Sequence, residues 1–401
     1  MPRLGRRPAF IAFYLALFLV LGLYMPFWPV FLADRGLDSP AIGLLLALST
    51  WAKVAGNPLI GRLSDRSAQP GRVLVGLAAT AFAAAWLFHF VAGFWGLLAV
   101  NLIVFMAFQA LIPLGDSRLL AAGRAEGTDY GRVRLWGSAA FLAAVLALGA
   151  GLDTAGPDLV AWGLCVGLGL LLATALALPP APSAASPAPA AGVARAGLGV
   201  VLRDSRFRLF LLVGALLQAS HAVYYAFSAV AWQAAGLSAA TIGWLWAEGV
   251  IAEILLFWWG ARLLARLGPA GLMVLAAGGG MLRWGGLALT TDPAALAVLQ
   301  VLHAATFGAA HLGAMHFISR EAPGAAHGTA HGLYAAATGG LGMGLALLAA
   351  GPLYETVGLG AFLVMQAMSA TAGLLALLLL RAGWRSNARI KFHSTRRSSL
   401  F

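Results

Sequence analysis

Apolar runs of helix length follow one another along almost the whole chain, with only short polar breaks between them. A helix rises ~1.5 Å per residue, so about 20 apolar residues cross a hydrocarbon core of ~30 Å. About twelve such runs are legible, near 8–32, 40–61, 72–91, 94–117, 131–152, 159–178, 207–233, 239–260, 270–290, 294–319, 328–353 and 358–381. In lipid no water satisfies bare backbone, so each run must close its own hydrogen bonds as a helix. The two-residue alternation of an outer-membrane barrel strand is absent. With 61% hydrophobic and 10% charged residues, and a mean hydropathy of +0.86, a soluble domain is excluded. The 50 glycines suit helices that approach closely where apolar burial no longer drives association. The expected fold is an all-α polytopic membrane protein with twelve transmembrane helices.

The formal charge of +12 invites a nucleic-acid reading, but its distribution argues against one. Lys53, Arg134 and Arg283 fall inside apolar runs. With the N-terminus placed inside, Arg35 is the single remaining cation on an outer loop. The outer turns instead carry Asp34, Asp38, Asp153, Asp158, Asp292 and Glu355. That asymmetry is the positive-inside rule, so both termini are expected on the cytoplasmic side. The first run is longer than a signal-peptide core and others follow it, so it is read as retained. A single Cys165 excludes an internal disulfide framework. The last residues, with Arg385, Arg389, Lys391, Arg396 and Arg397, form a basic end that either touches anionic lipid or is solvated.

Charges within the apolar runs carry the functional argument. Asp116 ends one run and Arg134 stands near the start of the next, eighteen residues later, across a loop with Arg124, Glu126, Asp129 and Arg132. A charge at hydrocarbon depth costs at least ~2.5 kcal/mol unless it meets a partner or a wet cavity. An antiparallel helix pair would place the two side by side as a working site. The alternative is that both snorkel to the headgroups.

Other segments organise the chain. Pro26 and Pro29 should bend the outer half of the first helix. Ser39-Pro40 suits a helix start. The turn Gly61-Arg62-Leu63-Ser64-Asp65-Arg66 can lock two helix ends together, and Gly260–Arg266 echoes it with Ala265 in place of Asp65. Pro179–Pro189, PPAPSAASPAP, reads as an interdomain linker. The expected organisation is a six-helix bundle over 1–178, a cytoplasmic linker over 179–205, a second six-helix bundle over 206–381 and a basic tail over 382–401. Two repeated halves are a transporter layout, with the site near the bilayer midplane.

Gly61–Arg66 resembles the loop signature of the major facilitator superfamily. Tyr24–Pro29, Pro113–Asp116, Asp129–Ser138, His221–Gln233 and His303–Ile318 resemble the lactose permease group, and within it the phenylpropionate permease branch. The resemblance covers nearly all of residues 8–380 and implies a bacterial inner-membrane secondary transporter that works as a monomer. It implies a substrate site at Asp116 and Arg134, since the Pro-x-x-acid and Gly-Arg-x-Arg patterns match. It puts Phe141 where the permease stacks a tryptophan on its sugar, a departure that weakens a galactoside reading. It assigns proton coupling to Glu253, Arg283 and His303, while the acid one turn beyond that histidine falls at Thr306. A conformational role for Gly61, Asp65 and Arg66 is implied as well. Lys53 matches a cation of the phenylpropionate branch and would neutralise a carboxylate substrate.

Buried Glu, Arg and His on neighbouring helices also suit a proton relay on general grounds, because their protonation responds to burial and neighbours. A structural Glu253–Arg283 ion pair is the alternative. Glu248 lies about 140° around the helix from Glu253 and cannot share its face. His311 and His316 could line a path or simply pack. Tyr224, Tyr225, Trp232 and the tryptophans of 244–259 read first as lipid-interface aromatics and second as a cavity wall.

The function expected is proton-coupled symport of a small organic acid such as an aromatic carboxylate, with membrane lipid as the surrounding partner and no cofactor beyond the proton. A sugar or nucleoside symporter is the near alternative, with drug efflux behind it. An intramembrane enzyme is disfavoured: there is no HExxH pair, no Gly-x-Ser-x-Gly turn and no phosphate loop. His303, His311 and His316 are spaced poorly for one metal.

Overall fold

A computed structural model describes residues 6–67, 69–126, 129–179, 198–199, 201–322 and 326–397. Most of the expected linker, 180–197, lies outside the described residues. The helices are α1 (Arg6–Asp34), α2 (Ser39–Arg66), α3 (Pro70–Ala85), α4 (Gly93–Glu126), α5 (Tyr130–Ala155) and α6 (Asp158–Ala177). Then come α7 (Ser205–Ala219), α8 (Ala222–Ala234), α9 (Ala239–Trp258), α10 (Gly260–Leu289), α11 (Pro293–Val301), α12 (Ala310–Glu321), α13 (His327–Ala335), α14 (Met343–Val357) and α15 (Ala361–Arg397). No strand occurs among the described residues. The helical path is π-wound at Ala304–Ala309 and at Ala336–Gly342.

By length and hydropathy the described helices form 11 candidate spans, one fewer than the runs in the sequence. The difference lies in the last, His327–Arg381, whose 55 residues would be ~80 Å long as one helix. It is two passes joined by a 3₁₀ turn at Gly358–Gly360, where Gly358 has φ 54°. Conversely, α7 and α8 are two pieces of one span, Ser205–Ala234. Within α10, Gly268 (φ 66°) and Pro269 set the leading segment with Arg262 and Arg266 apart from the rest. Pro26 and Pro29 remain inside α1, which runs through both without interruption.

The chain divides into two compact units that do not follow the order of the sequence. One gathers Met1–Ala188, Val223–Glu248 and Gly344–Gly358; the other gathers Pro189–Ala222, Gly249–Met343 and Leu359–Phe401. In the first, α1 packs on α5 and α6, α3 on α4 and α6, and α2 on α4. Phe13, Leu17, Val20, Phe27 and Phe31, spaced three, four or seven apart on α1, are all fully buried. Tyr24, Trp28, Phe31, Phe88 and Phe105 form one aromatic cluster, Tyr24 and Phe105 having ring centroids 3.8 Å apart. In the second unit α7, α10, α12 and α15 enclose Phe207, Phe210, Met273, Phe317 and Leu379, with Phe210 and Phe317 stacked at 4.3 Å.

The α1–α5 contact depends on Gly22. A methyl carbon there would sit 2.7 Å from the Phe141 carbonyl oxygen and 2.9 Å from the Ala144 Cβ. Neither atom can swing aside, because one is backbone and the other is fixed to it. Gly22→Ala should therefore destabilise the first unit by about 1–3 kcal/mol despite the higher helix propensity of alanine. Thermal unfolding of the two proteins in the same detergent would show the loss. An unchanged midpoint would mean that α1 and α5 slide freely.

Candidate functional site

Two polar clusters interrupt the apolar packing, one in each unit. The first begins with the start of α5. Asp129 accepts the Arg132 backbone N–H at 3.1 Å as its N-cap. That fixes the first turn, so Tyr130 and Arg134, four residues apart, project from one face. Arg134 meets Asp116 of α4 through one nitrogen, with Nη1 at 2.8 Å from Oδ1 and 3.1 Å from Oδ2. The Tyr14 hydroxyl of α1 donates to the same carboxylate at 2.5 Å, and the Tyr130 hydroxyl at 3.2 Å. The guanidinium lies 5.1 Å from the Phe18 ring centroid and 5.8 Å from that of Tyr130.

Asp116 is thus held by three side chains, while Arg134 is only partly used. Both of its bonds to Asp116 come from Nη1, and the Tyr130 side chain bonds to the guanidinium as well. The pair is half-buried, with side-chain exposures of 35% for Arg134 and 26% for Asp116. Neither residue snorkels away from the other. Tyr14 was not singled out in the sequence; an aromatic with a hydroxyl one turn before Phe18 on an otherwise apolar helix is its signal.

Lys53 belongs to the same unit. It stands on α2 with Ser49 one turn before it and Asn57 one turn after. Ser49 Oγ accepts from Asn101 Nδ2 at 2.6 Å and donates to the Leu45 carbonyl at 2.7 Å. Among the described residues Lys53 makes no ion pair and no hydrogen bond. Phe141 is buried, seven residues along α5 from Arg134 and so ~10 Å farther along the axis. Its backbone backs Gly22, and seven residues being two turns, it lies on the Arg134 face of α5. Asp65 and Arg66 are exposed at the end of α2 and make no hydrogen bond or ion pair among the described residues; Gly61 has nothing within 4 Å of where a Cβ would lie.

The interface expectation for the aromatics divides in two. Trp244, Trp258 and Trp259 are exposed on the helix surface. Tyr224, Trp232 and Trp246 are buried, with Tyr224 stacked on Trp246 at 4.6 Å. Burial rather than the membrane interface accounts for these three.

In the second unit the centre is Arg283 on α10, with no exposed surface. Nη1 lies 3.0 Å from His303 Nδ1 and donates to Thr306 Oγ1 at 3.0 Å, while Nη2 donates to Gln300 Oε1 at 2.7 Å. His303 Nε2 lies 3.5 Å from Glu253 Oε2. Arginine can only donate, so the bond from Nη1 requires a lone pair on His303 Nδ1. A neutral His303 then carries its proton on Nε2, facing the Glu253 carboxyl. Glu253, His303 and Arg283 therefore come together in that order, with the histidine between.

Thr306 has a part that its non-ionisable side chain conceals. It accepts from Arg283 and lies 3.3 Å from Nε2 of His221, whose Nδ1 is 3.0 Å from the Leu217 carbonyl. If Nδ1 donates to that carbonyl, Nε2 accepts the threonine hydroxyl proton and the chain closes. His221 and Gln300 were not read as site residues; a polar side chain in the middle of an apolar run is the signal both offered. The π-wound segment after His303 keeps the rings of His303, Phe307 and His311 nearly parallel, at 5.4 Å and 6.2 Å. Among the described residues no group of three or more His, Cys, Asp or Glu could hold a metal.

Both clusters are polar sets inside helical spans, the arrangement of a solute carrier rather than of a hydrolytic centre. Comparison with known proteins agrees. Residues 9–364 match the MFS_1 like family. The chain is 33% identical over 367 residues to the "Probable 3-phenylpropionic acid transporter" of Escherichia coli (strain K12), covering 90% of this chain and 94% of that protein. It is 30% identical to the "Maltose permease" of Geobacillus stearothermophilus, covering 94% and 95% of the two chains. The fold is similar to the crystal structure of the nucleoside transporter NupG, with a TM-score of 0.83, 17% identity and coverage of 94% and 99%. The chain belongs to the MFS_1 like family and is a multi-pass secondary transporter of the major facilitator superfamily.

Proposed function

We propose that the protein carries a small organic acid, an aromatic carboxylate of the phenylpropionate kind, together with a proton by alternating access. The observation that carries this reading is the balance of charge among Lys53, Asp116 and Arg134, all in the first unit. Asp116 occupies one nitrogen of Arg134, and Lys53 has no counter-ion among the described residues. Lys53 and Arg134 against Asp116 make these three side chains suited to one added negative charge. A carboxylate would take Nη2 and Nε of Arg134, which Asp116 does not occupy, as a two-pronged grip. The relative named for phenylpropionic acid supports the same class. The Glu253–His303–Arg283 chain supplies the coupling proton in this reading, with Glu253 as its carrier. The positive-inside distribution supports a cytoplasmic side for both termini in a bacterial inner membrane, and the presence of both clusters in a single chain supports a monomer.

The second reading is a neutral solute, a sugar or nucleoside, favoured by the maltose permease relative and the nucleoside transporter fold. Lys53 separates the two. Lys53→Met should weaken binding of phenylpropionate by about tenfold or more, the worth of one charge-assisted bond. It should spare the corresponding amide, which has the same shape without the charge. Competition binding of acid and amide to the wild type and the variant reads this directly. Equal losses for both ligands would make Lys53 structural and favour the neutral solute.

A further inference from the structure

Residues 36–43, GLDSPAIG, and 236–243, GLSAATIG, are one turn and helix start written twice, 200 positions apart. The structure repeats with the letters. Gly36 and Gly236 both take left-handed backbone, φ 82° and 88°, to end the preceding helix. The Leu37 N–H donates to the Leu32 carbonyl, and the Leu237 N–H to that of Trp232. Asp38 then caps α2 by accepting the Ala41 N–H at 2.9 Å, and Ser238 caps α9 by accepting the Thr241 N–H at 3.1 Å.

Each helix start is docked on a partner in the same way, and all four partners belong to the first compact unit. A methyl on Gly149 of α5 would lie 2.6 Å from the Ala239 carbonyl oxygen, and one on Gly243 of α9 would lie 2.9 Å from that of Val145. A methyl on Gly43 of α2 would lie 2.7 Å from the Leu347 carbonyl oxygen, and one on Gly351 of α14 would run into Ser39 and Pro40. So α9 sits on α5 as α2 sits on α14. Four residues beyond the docking glycine each partner carries an acid: Asp153 after Gly149, Glu355 after Gly351.

The two acids behave differently. Asp153 accepts the Ala239 N–H at 2.7 Å and the Ala240 N–H at 3.0 Å. These are two of the donors that a helix start leaves without an internal partner. Ser238 takes the third, so the first turn of α9 is satisfied partly by a residue 86 positions earlier in the chain. In α2 the place of Ala240 is filled by Pro40, which has no N–H to give. Glu355 is exposed and makes no hydrogen bond or ion pair among the described residues.

We propose that Asp153 is a latch on the start of α9 that holds this end of the transporter closed, and that the α2–α14 joint lacks the matching latch because of Pro40. The inference rests on the alternating-access part of the function above, not on its substrate or its proton. For the end to open, α5 of the first six spans must part from α9 of the second. Opening then exchanges two charge-assisted bonds for bonds to water. The carboxylate also favours the positive end of the α9 dipole, which vanishes as a contribution once the two separate.

The test measures the opening itself. Spin labels at Ala155→Cys and Ala235→Cys, both exposed and neither in the latch, are placed in a Cys165→Ala background, and their distance distribution is recorded in lipid without substrate. Asp153→Ala should raise the ratio of open to closed populations about fivefold, the worth of one helix cap. Adding Pro40→Ala should bring the ratio back down by presenting an N–H to Glu355. Glu355→Ala should abolish that rescue while changing little on its own. Pro40→Ala in the otherwise wild-type latch should favour the closed state further, a gain that a damaged fold would not mimic. An unchanged distribution in Asp153→Ala overturns the latch, and a rescue that survives Glu355→Ala overturns the account of the asymmetry. Loss of phenylpropionate binding with these populations as described would count against the substrate reading alone.

Discussion

Arg134→Lys should yield a folded, inserted protein that no longer binds organic acid, with an affinity loss on the order of a hundredfold or more. Lysine keeps the charge, so a reading in which Arg134 only offsets Asp116 expects little change. The structure distinguishes the two cases. One nitrogen of Arg134 is committed to Asp116, and the planar fork leaves Nη2 and Nε for a second anion. An ammonium is a point donor on a flexible stem and cannot hold the aspartate and a carboxylate in one plane. Two charge-assisted bonds of ~1.5–3 kcal/mol each are at stake, and ~1.4 kcal/mol is a factor of ten. Binding measured in detergent by calorimetry, beside a thermal melt to confirm folding, decides it. Near-normal affinity in the lysine variant would remove Arg134 from the substrate site.

Glu253→Gln should separate two activities that proton-coupled symport, as proposed above, would combine. Exchange of internal for external substrate should persist, since exchange completes without releasing the proton. Accumulation driven by a pH gradient should be lost, since each cycle must then load and discharge one. The amide also reports on His303. A glutamine oxygen still accepts from Nε2, so the Arg283–His303 geometry survives while the exchangeable proton does not. Net uptake by the variant should stop rising as the outside is acidified. Proteoliposomes loaded with labelled substrate allow both assays on one preparation. Continued accumulation would move the coupling role to His303, and loss of exchange as well would make Glu253 structural.

Much of this arrangement was legible in the sequence, for a physical reason. Lipid admits few charges, so each one inside an apolar run carries information that a surface charge would not. Asp116 and Arg134 stand at facing ends of successive runs at a spacing that fits a helix pair, and they meet at 2.8 Å. Glu253, Arg283 and His303 were visible on the same principle. Tyr14 was not, because a hydroxyl costs far less to bury than a charge and its partner lies 102 residues away. Thr306 was read for what it lacks, an ionisable group, whereas its use is to accept and to donate at once. Phe141 rests on resemblance alone; it stands two turns from Arg134 on the same face of α5. The division into units could not be read from the order of the spans, because α8, most of α14 and the first half of α9 pack with segments far from them in sequence.

The π-wound segment Ala304–Ala309 bears on how the chain can change length. A π turn holds one more residue than the α turn it replaces. Deleting one residue there would regularise the helix and leave His303 undisturbed at its upstream end. Everything downstream would keep its place in the bundle only if the lost residue is the surplus one. Removed from an ordinary α turn of the span, the same single residue would instead rotate everything beyond it about 100° around the axis. The segment is thus a stretch of this span where a length change can leave the helix on either side in place, at the expense of the Phe307 stack within it. Gaps in an alignment of the family should collect over these six residues and avoid the turns on either side.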